Sequence, residues 1–237
     1  MKKVLITGST QGIGKAIASA FVKNGYEVIV HCSKDLNKAE RIRDEIGAKS
    51  AVVCDLANMD EVNGLFAKTG EVDCLILNAS VQYKESWLGI TDDTFDKQFD
   101  VNVKSTLKLI QAYYPAMQEK GFGRIVTIGS VNQYCQHSEL SVYSATKCAV
   151  KKLIEVIAKE VAPFGVTLNN VAPGAIATPR NEEVYTDEIK RKAVEKKIPM
   201  GRFGTPEDCV GAVLMLCSEQ GAYITGTDIV IDGGMRL

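Results

Sequence analysis

Tyr143 and Lys147 stand four residues apart in the run Val142–Ala162, whose apolar spacing predicts a helix. Side chains at that spacing share one face and can reach a common ligand. A phenol ionises near pH 10, and an ammonium alongside favours the phenolate, so the pair is suited to proton exchange with a substrate oxygen. Ser130 follows the β-branched run Arg124–Ile128, where a hydroxyl at the strand end can bind that same oxygen. A second group lies near the start, where Val4–Thr7 runs into Gly8-Ser9-Thr10-Gln11-Gly12-Ile13-Gly14 and then into a helical pattern. Glycines let the backbone turn sharply there, and the amino end of the helix presents free N–H groups to an anion such as a pyrophosphate. Alone, each feature has an ordinary explanation: a lysine stem beside an aromatic ring, or a tight strand-to-helix turn.

The elements that must position these groups alternate along the chain. Candidate strands are Val4–Thr7, Val28–His31, Ala51–Cys54, Leu75–Leu77, Arg124–Ile128, Thr167–Ala172 and Asp228–Ile231. Helical patterns lie between them at Gly12–Asn24, Asn37–Ile46, Asp60–Lys68, Thr94–Lys120, Val142–Ala162 and Pro206–Leu216. Gly25, Gly47 and Gly121 follow helical runs, as end caps do. Continuous apolar strands separated by helices predict an α/β fold: a single doubly wound, Rossmann-type parallel sheet of seven strands with helices on both faces. The binding crevice is then expected at the carboxyl ends of the strands. There is no repeat or linker, so residues 1–237 are expected to form one domain. The charged, weakly patterned stretch 177–199 reads either as a lid over the crevice or as an ordinary solvated helix pair.

Composition narrows the partners. A net charge of −1 and the even spread of Lys and Arg disfavour nucleic acid and anionic membranes. The apolar stretch after Lys3 is too short for a secretory or spanning segment, and the expectation is a cytoplasmic protein. The seven cysteines form no CxxC pair and there are only two histidines, so no metal site is expected. His31 ends the second strand, and His137 lies in the loop between Ser130 and Tyr143.

In order and spacing, several motifs together resemble the short-chain dehydrogenase/reductase family: Thr7-Gly8-x-x-x-Gly12-Ile13-Gly14, Asp55-Leu56, Asn78-Ala79, Asn102, Ser130, Tyr143-x-x-x-Lys147, Pro173-Gly174 and Asp232-Gly233-Gly234. The resemblance covers essentially the whole chain. It implies hydride transfer between a nicotinamide cofactor and a carbonyl/alcohol pair, with Asn102, Ser130, Tyr143 and Lys147 as the catalytic set and Asn102 holding a proton-relay water. It further implies that Asp55 and Leu56 flank the adenine, that Asn78 and Ala79 border the cofactor, and that Pro173, Gly174, Ile176 and Thr178 frame the nicotinamide. Ser80 departs from the family, which usually carries glycine there. A homo-oligomer, tetramer or dimer, paired through Thr94–Lys120 and Val142–Ala162, is implied as well. A dinucleotide-sensing protein without chemistry would be expected to lose Tyr143, Lys147 or Ser130, and all three are present.

The second strand ends without an acid at Cys32 and continues into Ser33 and Lys34, which favours NADP over NAD. Gln11, in place of an arginine, and Asp35 pull the other way. Within the family the chain resembles 3-oxoacyl-[acyl-carrier-protein] reductases and sugar or polyol dehydrogenases. Gly121 and Phe164 occupy the positions where carrier-binding arginines are expected, with Lys120 as a partial substitute. The expected pocket wall is polar: Gln82, Asn132, Gln133, Gln136 and His137, with Trp87 nearby and Arg180-Asn181 at the lid. Gln82, Gln133, His137 and Arg180 are therefore the substrate candidates, and a small hydroxylated substrate is expected over a carrier-bound acyl chain.

Overall fold

The computed structural model describes Met1–Leu237. Its strands are β1 (Lys3–Ile6), β2 (Glu27–Cys32), β3 (Ser50–Val53), β4 (Cys74–Leu77), β5 (Gly123–Ile128), β6 (Val166–Pro173) and β7 (Asp228–Ile231). The helices are α1 (Gly12–Lys23), α2 (Leu36–Ile46), α3 (Met59–Thr69), α4 (Asp92–Phe99), α5 (Ser105–Lys120), α6 (Ser141–Val161), α7 (Glu182–Thr186), α8 (Glu188–Glu195) and α9 (Val210–Cys217). The strands form one sheet in the order β3-β2-β1-β4-β5-β6-β7, and every pairing is parallel. No helix is long and apolar enough to cross a membrane.

Strand alternation explains why both faces carry a core. Leu5, Leu75 and Ile125 pack with Leu65 of α3, Leu109 of α5 and Ile154 of α6. Their neighbours Val4, Ile76 and Val126 point the other way, against Ile17 and Phe21 of α1 and Leu216 of α9. A strand buried on both faces cannot show a polar/apolar alternation, which is why these segments read as unbroken apolar runs.

The chain winds outward through β2 and β3 and then returns to β4 on the other side of β1. The connections leave in opposite directions at that point, which opens a crevice above the carboxyl ends of β1 and β4. One predicted helix is not α-helical throughout. Thr94–Lys120 runs on as helix but changes its hydrogen-bond pattern at a π turn, Asp100–Lys104, between α4 and α5. The segment 177–199 folds as a short 3-10 turn (Pro179–Asn181) followed by α7 and α8, and it lies over the crevice.

Candidate active site

The glycine turn is held from three sides. Thr7 Oγ1 accepts the N–H groups of Asn78 and Ala79 at 3.0 and 3.1 Å, and Asn78 Nδ2 donates to Thr7 O and Gly8 O at 2.9 and 3.0 Å. Gly8 and Gly12 adopt φ of 64° and 54°, which side chains rarely tolerate. A Cβ on Gly14 would strike Gly8 O and the Asn78 amide. No side chain caps the amino end of α1, and its first turn holds no acid. The free N–H groups and the glycine cradle fit a dinucleotide pyrophosphate.

The third support is His31. It is 1% exposed; its Nδ1 accepts the Gly8 N–H at 3.0 Å, and Nε2 lies 3.0 Å from Cys54 O. Since Gly8 can only donate and Cys54 O can only accept, the ring is neutral and protonated on Nε2. Burial drives its pKa from 6.5 down to about 4. Ser9, expected to face the cofactor, points inward: its hydroxyl accepts the His31 N–H at 2.9 Å and it does not line the cleft. The turn alternates sides, so Thr10 faces the cleft in its stead.

Above these elements is a cleft of about 630 Å³. Apart from Ser9, every cofactor candidate named from the sequence lines it. At its outer end Lys34 pairs with Asp55 at 3.1 Å. Burial would raise the Asp55 carboxyl, but the Ala57 N–H and Lys34 outweigh that and hold it below the usual range. Lys38, not anticipated, donates to Gln11 Oε1 at 2.9 Å, bringing a cation to the position where the glycine turn lacks one. Asp35 is spent capping α2 through the Lys38 N–H.

Ser130, Tyr143 and Lys147 converge on the cleft wall. Ser130 follows β5 and accepts the Asn132 N–H at 3.2 Å. Lys147 is buried beneath Tyr143, with Nζ 5.5 Å from the ring centroid and donating to Ile128 O at 2.8 Å. Burial, then the charge of Arg180, lowers its pKa from 10.5 to about 7. Asn102 lies behind the cleft and does not line it. Its Oδ1 accepts the Val81 N–H at 2.9 Å, and its Nδ2 donates to Val81 O and Thr146 Oγ1 at 2.9 and 3.1 Å. The Thr146 hydroxyl donates in turn to Tyr143 O at 2.7 Å. The side chain expected to hold a water is therefore committed to protein groups, and it ties the loop after β4 to the tyrosine helix.

Among the substrate candidates, Gln82, His137 and Arg180 line the cleft, as do Asn132 and Asn181. Gln133 does not. The 3-10 turn Val131–Gln133 sends it the other way, to bond Asp228 and Asn170. Gln136 and Trp87 also lie outside the cleft, the latter 70% exposed. Gly121 and Phe164 precede β5 and β6, so within this chain they sit at the end of the sheet opposite the cleft, and Lys120 is paired with Asp73. They therefore say nothing about the mouth of this chain's cleft. Arg180 reaches from the 3-10 turn to Ser80, donating to its Oγ at 3.1 Å and its carbonyl at 2.6 Å. The Ser80 hydroxyl thus binds an arginine.

Comparison with known proteins agrees with this geometry. The family profile described as enoyl-(acyl carrier protein) reductase matches residues 8–236. The human dehydrogenase/reductase SDR family member 4 is 33% identical over 98% of this chain and 87% of its own. The 3-oxoacyl-[acyl-carrier-protein] reductase FabG of Rickettsia prowazekii (strain Madrid E) is 34% identical over 100% and 97%. Among solved structures, a putative gluconate dehydrogenase from Agrobacterium tumefaciens superposes with a TM-score of 0.94 at 26% identity, covering 99% of this chain and 96% of that one. A 3-oxoacyl (acyl-carrier-protein) reductase from A. tumefaciens C58 with NADP bound gives 0.91 at 34%, covering 98% and 93%. A gluconate 5-dehydrogenase from Burkholderia cenocepacia J2315, in complex with NADP and tartrate, gives 0.91 at 28%, covering 99% and 94%. With its sheet, its cleft and these relatives in agreement, the chain is a nicotinamide-dependent oxidoreductase of the short-chain dehydrogenase/reductase family.

Proposed function

We propose that the protein interconverts a secondary alcohol and a ketone on a small hydroxylated substrate, a sugar, polyol or sugar acid, with NADP as the preferred cofactor. A nicotinamide held by Pro173, Gly174, Ile176 and Thr178 would supply the hydride chemistry at the carbinol carbon, in either direction. The Ser130 hydroxyl binds the reacting oxygen, and Tyr143 takes or returns its proton. Lys147, with a pKa brought down to about 7, can give and take a proton near neutrality beneath the tyrosine. The observation that carries the substrate reading is the polar wall beside this trio, formed by Gln82, Asn132 and His137, with Asn181 beside them holding Ile176 O. A ligand without hydroxyls would leave those donors and acceptors unpaired, which sites of this kind discriminate against strongly.

Reduction of a carrier-bound 3-oxoacyl chain is the second reading, favoured by the FabG relatives at 34% identity. Steady-state reduction of a short 3-oxoacyl thioester, set beside oxidation of a sugar and polyol panel, decides between them. Efficient thioester turnover with no activity on any hydroxylated compound would overturn the first.

The NADP preference rests on Ser33, Lys34 and Lys38 at the outer end of the cleft and on the lack of an acid at Cys32. Lys38→Gln is expected to lower the NADP-to-NAD ratio of kcat/KM by roughly ten- to a hundredfold, the worth of one charge-assisted contact. An unchanged ratio would remove Lys38 from the phosphate site.

A further inference from the structure

The wall of the cleft is far more cationic than the chain that builds it. Lys34, Lys38, Lys84, Lys97, Lys147 and Arg180 line it against a single carboxylate, Asp55, in a protein of net charge −1. A dinucleotide accounts for the outer members: Lys34 and Lys97 lie beside Asp55, and Lys38 beside Gln11. Lys147 is committed to the floor through Ile128 O. Lys84 lies beside Glu183, whose carboxyl it helps to hold down. Arg180 is unaccounted for.

Its position is built rather than incidental. Pro179 opens the 3-10 turn after β6 and fixes its entry, and the turn swings residue 180 across the cleft to the loop after β4. There Ser80, at a position where the family usually carries glycine, receives two of the guanidinium donors through its hydroxyl and carbonyl. A guanidinium carries five N–H donors in a planar fork, so three remain for a ligand. No carboxylate of the protein bonds it, and its field falls on Lys147. A ligand anion seated between them is attracted by the guanidinium and favours the Lys147 ammonium. The planar fork matches the two oxygens of a carboxylate.

We propose that Arg180, braced by Ser80, is the receptor for a substrate carboxylate, so that the substrate is a polyhydroxy acid whose secondary hydroxyl meets Ser130 and Tyr143. This inference rests on the proposed oxidation of hydroxylated compounds and narrows it. A role for Arg180 as a mere latch between the 3-10 turn and the β4 loop would affect charged and neutral substrates alike, and the test is built on that difference.

Oxidation of gluconate, galactonate and mannonate is measured with NADP beside sorbitol, galactitol, mannitol and sorbitol 6-phosphate. The parent, Arg180→Gln, Arg180→Lys and Ser80→Gly are compared. The expected result is an acid-over-polyol ratio of kcat/KM of at least about tenfold in the parent. That ratio should fall by about 10- to 100-fold in Arg180→Gln, the range for one charge-assisted partner. Arg180→Lys should keep part of it, and Ser80→Gly should lose less than Arg180→Gln. An equal ratio in parent and Arg180→Gln, or no preference for acids in the parent, overturns the proposal. Stronger Arg180-dependent use of sorbitol 6-phosphate overturns it in favour of a phosphate. Turnover of polyols without preference for acids sinks this inference alone. If no hydroxylated compound turns over, the proposed function fails separately. Gluconate binding to the protein–NADPH complex then still decides the receptor: weaker binding in Arg180→Gln supports it, and equal dissociation constants overturn it.

Discussion

Replacing His31 should weaken the cofactor turn and remove an acid-sensitive part of the stability. In the folded protein the ring serves Gly8 N–H with Nδ1 and Cys54 O with Nε2. His31→Leu orphans both groups, each at about 1–3 kcal/mol when buried, for a loss of roughly 2–6 kcal/mol at neutral pH. His31→Asn can still offer an acceptor at the Nδ1 position, and His31→Gln a donor at the Nε2 position, so each should recover about half. Only the asparagine variant should keep cofactor affinity, because it keeps the Gly8 bond. The ring's pKa is pushed by burial from 6.5 to about 4. A group that holds its proton less well when folded stabilises the protein fully above its unfolded pKa. That contribution drains away as the pH falls from 6.5 towards 4, where the folded ring protonates too. Between pH 7 and pH 5 the parent should therefore lose about 2 kcal/mol through this residue alone, and His31→Leu should not. Urea unfolding followed by far-ultraviolet circular dichroism at the two pH values, with cofactor titrations at pH 7, reads all of this. Identical pH dependence in parent and His31→Leu would refute the clamp, as would a loss below about 1 kcal/mol in that variant.

Two further outcomes follow from the same geometry. Lys147, brought to about pH 7 by burial and then by Arg180, is mostly neutral at pH 8 in the free protein. An anionic dinucleotide favours its ammonium, so binding at pH 8 should take up close to one proton. Calorimetry in buffers of differing ionisation enthalpy checks this, and a binding enthalpy independent of buffer contradicts it. Asn102→Ala frees the Val81 backbone and the Thr146 hydroxyl, costing about 2 kcal/mol or more and lowering kcat through a loosened Tyr143. A stability loss under about 0.5 kcal/mol would show that the amide is dispensable.

Much of this architecture is legible in the chain because the sheet is buried on both faces and its strands are short apolar runs between glycine stops. All seven strands fall within one residue of their expected ends. The glycine turn and the Ser130, Tyr143 and Lys147 trio were legible because their chemistry is local or carried by ordered motifs. What escaped depends on long-range geometry. A π turn adds one residue to one turn without altering the apolar pattern on either side, so Asp100–Lys104 read as ordinary helix. His31 read as a strand-end residue, yet its partners are backbone groups 23 positions away in either direction. Gln133 and Ser9 are polar residues at the right places in sequence, turned inward by a 3-10 turn and by the glycine loop. Lys38 was missed because its neighbour Gln11 lies 27 residues earlier.

The account turns on Tyr143 as the group that exchanges the substrate proton. Its most direct test is single-turnover oxidation of the best hydroxylated substrate by parent and Tyr143→Phe, followed at the reduced nicotinamide absorbance with cofactor binding measured in parallel. The substitution removes one oxygen from a ring that is otherwise packed in place. The account predicts unchanged cofactor affinity with hydride transfer slowed by about 10²–10⁴-fold. A rate within a few-fold of the parent, at equal cofactor occupancy, would contradict it.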